Sequence, residues 1–518
     1  MASWIFGTDG KDTLAGTAAS ENIQGRGDDD LLLGSSGNDI LNGGDGRDTV
    51  SYERLGGPVT VTLGSNGTSG SATKPSGGLG LAGSANQTDT LSNIENVVGS
   101  RYADAIYGNE QDNVLAGLGG ADTINGGYGI DTVDYQASQN GVTVDLRGVT
   151  QRGGDAEGDR LYSIENATGS AKADSITGNE KVNVLRGGGG DDTLAGYEGG
   201  DTLDGGDGVD TADYSFTPRA GSFTGVVVNL TTGQASGAGG LADGDTLISI
   251  ENVIGTGRGD SLTGNERANV LDGGQMDDVL AGLGGADTLL GGEGLRDLAD
   301  YLASPERVSV NLATNENHFG HAEGDKLGGI EGVRGSIFDD EITGDSNWNT
   351  LLGDDGNDLL VAGGNRDTLA GGNGGDRLVG GEGGDQMVGG PIALLATDQI
   401  QIGITLASYD EKPDVFIYNS ILDSKLEAGQ FDEIFAFEHG IDKIDLSAID
   451  ADTVHNGKQT FQPVSSLTGH AGELVVGAVP GQPDYAQLYA DVDGDAVPDF
   501  GIVFTLPSAL PTRDDLIL

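Results

Sequence analysis

The sequence predicts an all-β chain: a parallel β-roll or β-solenoid over residues 1–390, followed by a β-rich domain over 391–518. Three observations carry the prediction. A nine-residue repeat runs through most of the chain, glycine numbers 94 of 518 residues, and the formal net charge is -56.

The repeat comes first. Read from Gly7 in steps of nine, the chain gives GTDGKDTLA, GTAASENIQ, GRGDDDLLL, GSSGNDILN and GGDGRDTVS. The frame returns at Gly99, Gly169, Gly255 and Gly335, and the last run extends through GGNGGDRLV and GGEGGDQMV. About 24 units fit the template GGxGxDxUx, with U apolar. Units of this kind cannot bury an apolar face alone and must stack. Glycine lacks the every-third-residue spacing of collagen, so it serves turns, where positive φ is needed. Positions seven to nine form a very short strand with one inward side chain, as at Leu14, Leu41, Ile124, Leu194, Leu203, Leu289, Leu369 and Leu378. Two nonapeptides make one coil, so turns i and i+18 are neighbours.

The chemistry follows from the turn. Its carbonyls are accessible, and position six supplies a carboxylate. Ca²⁺ is a hard cation that takes 6–8 oxygen ligands, carbonyls and carboxylates among them. One turn supplies too few, but turns stacked at about 4.8 Å can share an ion. The candidate ligands are Asp12, Asp30, Asp39, Asp48, Asp104, Asp122, Asp131, Asp174, Asp192, Asp201, Asp210, Asp260, Asp278, Asp287, Asp340, Asp358, Asp367, Asp376 and Asp385. Charge agrees: Lys+Arg is 26 against 82 for Asp+Glu, and on the order of 20 Ca²⁺ ions would cancel roughly 40 charges. With one small apolar residue per repeat, the roll is expected to need metal in order to fold. The acidity excludes nucleic acid and anionic membrane surfaces as default partners.

A longer repeat is superposed on the short one. Tyrosine motifs end at Tyr52, Tyr135, Tyr214 and Tyr301, each followed by an alternating run: VTVTL, VTVDL, VVVNL, VSVNL. A Gly/Asp loop then leads to IEN or IEG (Glu95, Glu165, Glu251) and the nonapeptides resume. Alternation suits strands buried on one face. Calcium-roll sections are therefore expected to alternate with longer, metal-poor coils in one elongated solenoid, with the tyrosines and these glutamates serving packing. Asn113, Asn183, Asn269 and Asn349 stand at position six, Glu21 replaces an aspartate, and the frame slips by one near Arg296. Weak or empty metal sites are expected there.

Beyond Gly390 glycine thins and aromatic residues increase. The stretches DVFIY, FDEIFAFEHGIDKIDLS, DVDGDAVPDF and the final DDLIL resemble the C-terminal β-domain of serralysin-type metalloproteases and other RTX (hemolysin-type) proteins exported by type I secretion. The nonapeptide likewise matches the RTX calcium-binding repeat, so the resemblance covers most of the chain. It implies an uncleaved C-terminal export signal, recognised by the type I apparatus, and an extracellular location. An N-terminal signal peptide is not visible in MASWIFGTDGKDTLAG.

No catalytic motif is recognised. HExxH, GxSxG and the phosphate-binding GxxxxGK[ST] are absent, and without cysteine neither thiolate catalysis nor disulfides are possible. No run of about 20 apolar residues exists to span a membrane. His318 and His321 read as a solvated loop, and Asp491-Val-Asp-Gly-Asp495 as a hairpin turn lacking the glutamate that an EF-hand needs. The expected function is non-enzymatic: a secreted calcium-binding protein with a structural, adhesive or surface-layer role, whose partners are self-assembly or cell-surface polysaccharide. The alternatives are a membrane-active effector or bacteriocin-like toxin, and a polysaccharide-acting enzyme or binding module.

Overall fold

The computed structural model describes residues 3–65, 67–75, 86–148, 150–216, 224–237, 241–390, 412–425, 430–479, 482, 484–505 and 509–518. These are strands and turns, and the helices among them are single 3-10 turns at Gly154–Ala156, Gly320–Ala322 and Arg513–Asp515. None is long and apolar enough to cross a membrane. The chain divides into two compact units, Met1–Ser222 with Thr232–Ile254, and Phe223–Thr231 with Gly255–Leu518.

In the first unit the last three positions of each repeat form a strand, as at Thr13–Ala15, Leu31–Leu33 and Thr49–Ser51. These pair in parallel with Leu14 opposite Leu32 and Leu32 opposite Val50. Intervening repeats build the facing wall, where Ile23 lies opposite Leu41. A strand alternates its side chains between faces, so a three-residue strand sends only its middle residue inward. Leu32, Leu41 and Val50 are accordingly buried. The fold is a parallel β-roll.

Long coils preserve this register. Val50 pairs with Val97, Val133 with Ala167 and Leu203 with Leu247, so extra residues are placed outside the wall. The alternating runs are strands with one buried face, as at Val142 and Val144 or Val308 and Val310. The first long coil differs. Its strand Gly70–Lys74 inserts antiparallel between Thr60–Thr62 and Gln87–Ser92, with Ala72 and Lys74 facing in.

The second unit has the same walls. One runs through Leu351, Leu369, Met387, Ile434 and Phe504. The other runs through Val310, Ile342, Leu360, Leu378, Phe416, Ile444 and Leu516. Parallel pairing thus continues past residue 390, while residues 391–411, where the C-terminal domain is expected to begin, lie outside the described set. The wall residues become aromatic there: Phe437 packs on Phe416 and Phe504, and Tyr418 meets Phe500 edge-on. Antiparallel pairing among Glu473–Ala478, Tyr485–Asp491 and Phe500–Thr505 adds a hairpin sheet.

Candidate calcium sites

Position-six side chains stand in ladders along the edges of the walls. The backbone N–H of one aspartate donates to Oδ1 of its counterpart in the next coil: Asp12 to Asp30, Asp30 to Asp48, Asp192 to Asp210 and Asp358 to Asp376, each at 2.8 Å. One carboxylate oxygen per coil is therefore fixed by the backbone. The second oxygen, Oδ2, divides the turns into two classes.

In open turns Oδ2 is buried and meets no hydrogen-bond donor. This holds at Asp30, Asp48, Asp122, Asp131, Asp192, Asp201, Asp210, Asp278, Asp287, Asp358, Asp367 and Asp385. Asp297, beyond the frame slip, joins them because its seven-residue turn still delivers Oδ1 to the Asp278 N–H at 2.8 Å. In these turns position two has left-handed backbone, whether it is Gly44, Gly188 and Gly206 or Arg26, Leu118 and Tyr197. Asp376 belongs to the same row, its N–H donating to Asp414 Oδ1 at 2.9 Å and its position-two residue, Gly372, at positive φ.

In closed turns position two is Ser or Thr without positive φ, and it caps the carboxylate. Ser100 donates its hydroxyl to Asp104 at 2.8 Å, Ser170 to Asp174 at 3.0 Å, Thr256 to Asp260 at 2.9 Å and Ser336 to Asp340 at 2.9 Å. Thr8 does the same for Asp12, and Thr17 bonds Glu21. In the first four, the position-two N–H also donates to Oδ2, so both oxygens have donors. Asn turns are closed differently: Asn113 Oδ1 accepts the Asn109 N–H at 2.9 Å, while its amide donates to the Glu95 carbonyl at 2.8 Å. Asn183 repeats this against the Glu165 carbonyl.

The tyrosines and IEN glutamates belong to the ladders. Tyr135 donates its hydroxyl to Asp159 at 3.0 Å, Tyr214 to Asp245 at 3.1 Å and Tyr301 to Asp325 at 3.0 Å. Each of these aspartates opens a long-coil strand and receives the N–H of the previous rung. Glu95 and Glu165 accept the N–H of Asp48 and Asp131 in the same way. Spacing by nine misses these rungs, but the recurring Gly-Asp before an apolar residue (GDRL, GDTL, GDKL) marks three of them.

Asp39 stands apart. Its Oδ2 accepts from the Ser35 hydroxyl at 3.1 Å and lies 3.4 Å from the Lys74 ammonium.

The open turns fit Ca²⁺ on two counts. A buried carboxylate oxygen with no donor is costly unless a cation meets it. A Cβ added at Gly25 would overlap both Asp30 Oδ2 and the Gly43 carbonyl oxygen, so two hard oxygens converge on space that only glycine leaves free. The same convergence occurs at Gly187 and Gly353, and also at Gly169 and Gly255 of closed turns, so the missing donor at Oδ2 is what singles out the open ones. Burial, reinforced by neighbouring carboxylates, pushes Asp278 up to about 9 and Asp122 and Asp358 up to about 8. Such groups take up either a proton or a metal.

Other candidates read differently. His318 is exposed and 4.0 Å from Glu323, while His321 is half-buried in the 3-10 turn Gly320–Ala322. Asp491, Asp493 and Asp499 could together meet a metal. The carboxylate of Asp491, however, accepts the N–H groups of Gly494 and Ala496 at 2.7 and 2.8 Å, as a hairpin turn requires.

Comparison with known proteins agrees with this geometry. The family model described as peptidase M10 serralysin C terminal matches residues 201–518, more than half of the chain. The RTX calcium-binding nonapeptide repeat matches residues 15–50, 98–133 and 177–212. Metalloprotease AprA of Pseudomonas entomophila (strain L48) is 40% identical over 97 residues, 19% of this chain and 19% of that protein. The match thus spans about a fifth of that relative. A solution structure of the AlgE6R3 subunit from the Azotobacter vinelandii mannuronan C5-epimerase is 24% identical, covering 35% of this chain and 78% of that one at a TM-score of 0.19. The chain belongs to the serralysin C-terminal family, typical of type I secreted proteins, and its RTX nonapeptide repeats bind multiple Ca²⁺ ions.

Proposed function

We propose that this chain is a non-enzymatic extracellular scaffold, folded by calcium after export, with a structural or adhesive role at a surface. The observation that carries the reading is the row of buried, donorless carboxylate oxygens along both walls. Calcium is assigned to the open turns, from Asp30 and Asp48 through Asp122, Asp131, Asp192, Asp201, Asp210, Asp278, Asp287, Asp297, Asp358, Asp367 and Asp385. Bound there, the ion neutralises carboxylates and ties one coil to the next. The closed turns at Asp104, Asp174, Asp260 and Asp340 anchor the start of their blocks without metal, their oxygens being already bonded, and Asp12 begins the first block with Oδ2 capped by Thr8. Residues 391–518 carry the export signal in this reading.

The buried acidic groups with the most displaced pKa values are ladder members, so their chemistry is spent on holding cations. Calcium at roughly 10⁻⁴–10⁻³ M, the range of extracellular modules, suffices for such sites. The test is a far-UV circular dichroism titration from chelator-treated protein, followed by electron microscopy. A cooperative coil-to-β transition with Ca²⁺ but not Mg²⁺, and ordered assemblies thereafter, are expected. Full β-structure in excess chelator overturns the calcium-folded reading. Dye leakage from liposomes, or new uronide products from alginate, overturns the scaffold role.

A further inference from the structure

Lys74 is fully buried, an unusual place for an ammonium group. Its Nζ pairs with Asp89 Oδ2 and lies 3.4 Å from Asp39 Oδ2, and both carboxylates are also fully buried. Asp39 and Asp89 are successive rungs of one ladder, the Asp39 N–H donating to Asp89 Oδ1 at 2.8 Å. Tyr52 completes the group, with its hydroxyl on Asp89 Oδ2 at 3.1 Å and its ring 5.7 Å from the ammonium.

The same junction occurs three more times. Asp122 precedes Asp159 with Tyr135, Asp201 precedes Asp245 with Tyr214, and Asp287 precedes Asp325 with Tyr301. In those three the first aspartate keeps a buried Oδ2 without a donor. Only at Asp39 is that oxygen answered, by the Lys74 ammonium at 3.4 Å and the Ser35 hydroxyl at 3.1 Å. The inserted antiparallel strand Gly70–Lys74 brings the lysine in, and the other long coils place no lysine on the corresponding aspartate among the described residues.

We propose that Lys74 is a built-in cation that closes a calcium site at the Asp39–Asp89 junction. It lets this one junction close without an ion of its own, while the three equivalent junctions take Ca²⁺. This rests on the calcium assignment above. The ammonium contacts Oδ2 of both carboxylates, so it stands where a shared ion would have to sit and no second cation can reach them. Without the lysine, Asp39 Oδ2 keeps the Ser35 hydroxyl at 3.1 Å as its remaining donor; that hydroxyl has the Ser36 carbonyl, also at 3.1 Å, as an alternative acceptor, so the oxygen becomes available to a metal as in the counterparts.

The experiment compares wild type, Lys74→Ala and Lys74→Ala/Asp89→Asn as full-length chains, counting bound calcium by native mass spectrometry and following backbone hydrogen exchange. Lys74→Ala is expected to bind one more ion than wild type, and the double variant to lose it. Residues 70–74 and 87–92 should reach full protection at a lower calcium concentration in wild type than in Lys74→Ala. An unchanged ion count, or a Lys74→Ala chain that saturating calcium fails to fold, overturns the proposal. A wild type that binds calcium alongside such a result leaves the scaffold reading standing, whereas a wild type that binds none overturns both.

Discussion

Position two of the nonapeptide decides what position six can do. Arg26, Leu118, Tyr197 and Asp354 hold left-handed backbone there, at a cost of order 1–3 kcal/mol each for a residue with a Cβ. That conformation turns the position-two N–H away from the aspartate and leaves Oδ2 for a metal. Where Ser, Thr or Asn stands instead, the N–H and side chain close the turn. Asn113→Asp would replace an amide donor with an oxygen facing the Glu95 carbonyl, two buried acceptors in contact. A loss of about 1–3 kcal/mol is expected from urea denaturation in saturating calcium. Unchanged stability would mean that calcium accepts the new carboxylate. The sequence marked Asn113 as a weak site because it lacks charge. The geometry adds a reason that composition does not contain, namely a carbonyl waiting for a donor.

At the scale of the element, each wall is a strand stack and a carboxylate ladder at once. Asp278 faces Asp260, Asp297 and Asp277, and burial with these neighbours raises it from the usual 3.8 to about 9. Asp122, beside Asp159, Asp104 and Asp155, rises to about 8. A carboxyl raised on folding binds more protons in the native chain than in the unfolded one between its two pKa values. Metal-free stability is therefore greatest below the unfolded value and falls as pH climbs from about 4 towards 8–9. In excess chelator the β-signal should be stronger at pH 5 than at pH 8, and calcium at pH 8 should restore it. The reverse order in circular dichroism would show that the ladder carboxylates are not buried together as described.

For the whole molecule, a net charge of -56 opposes compaction, and walls with one inward residue per strand offer little apolar burial against it. Stability then comes by mass action, since a ligand that binds only the native chain contributes about 2.7 kcal/mol per site at a hundredfold excess over its Kd. The melting temperature should rise with every tenfold increase in calcium and stay flat with magnesium, as scanning calorimetry can check. A calcium-independent melting temperature would contradict the many-site assignment. The C-terminal strands extend this economy with larger side chains: Phe416, Ile434 and Phe504 occupy wall positions that Leu and Val hold earlier.

Periodicity placed the inward residues such as Leu41 and Leu203, and residue type at a fixed spacing called for many hard cations; the resemblance of the nonapeptide to the RTX repeat added the parallel roll. Residue type did not separate the open aspartates from the closed ones, since that depends on the backbone hand at position two and on donors that folding supplies. Nor could spacing show that Tyr135 reaches Asp159, that Asp297 recovers its place after the slip, or that the wall runs on through Phe416. Lys74 is the clearest case. It lies 35 residues from Asp39 and 15 from Asp89 along the chain, and only the inserted antiparallel strand carries its ammonium to the two carboxylates.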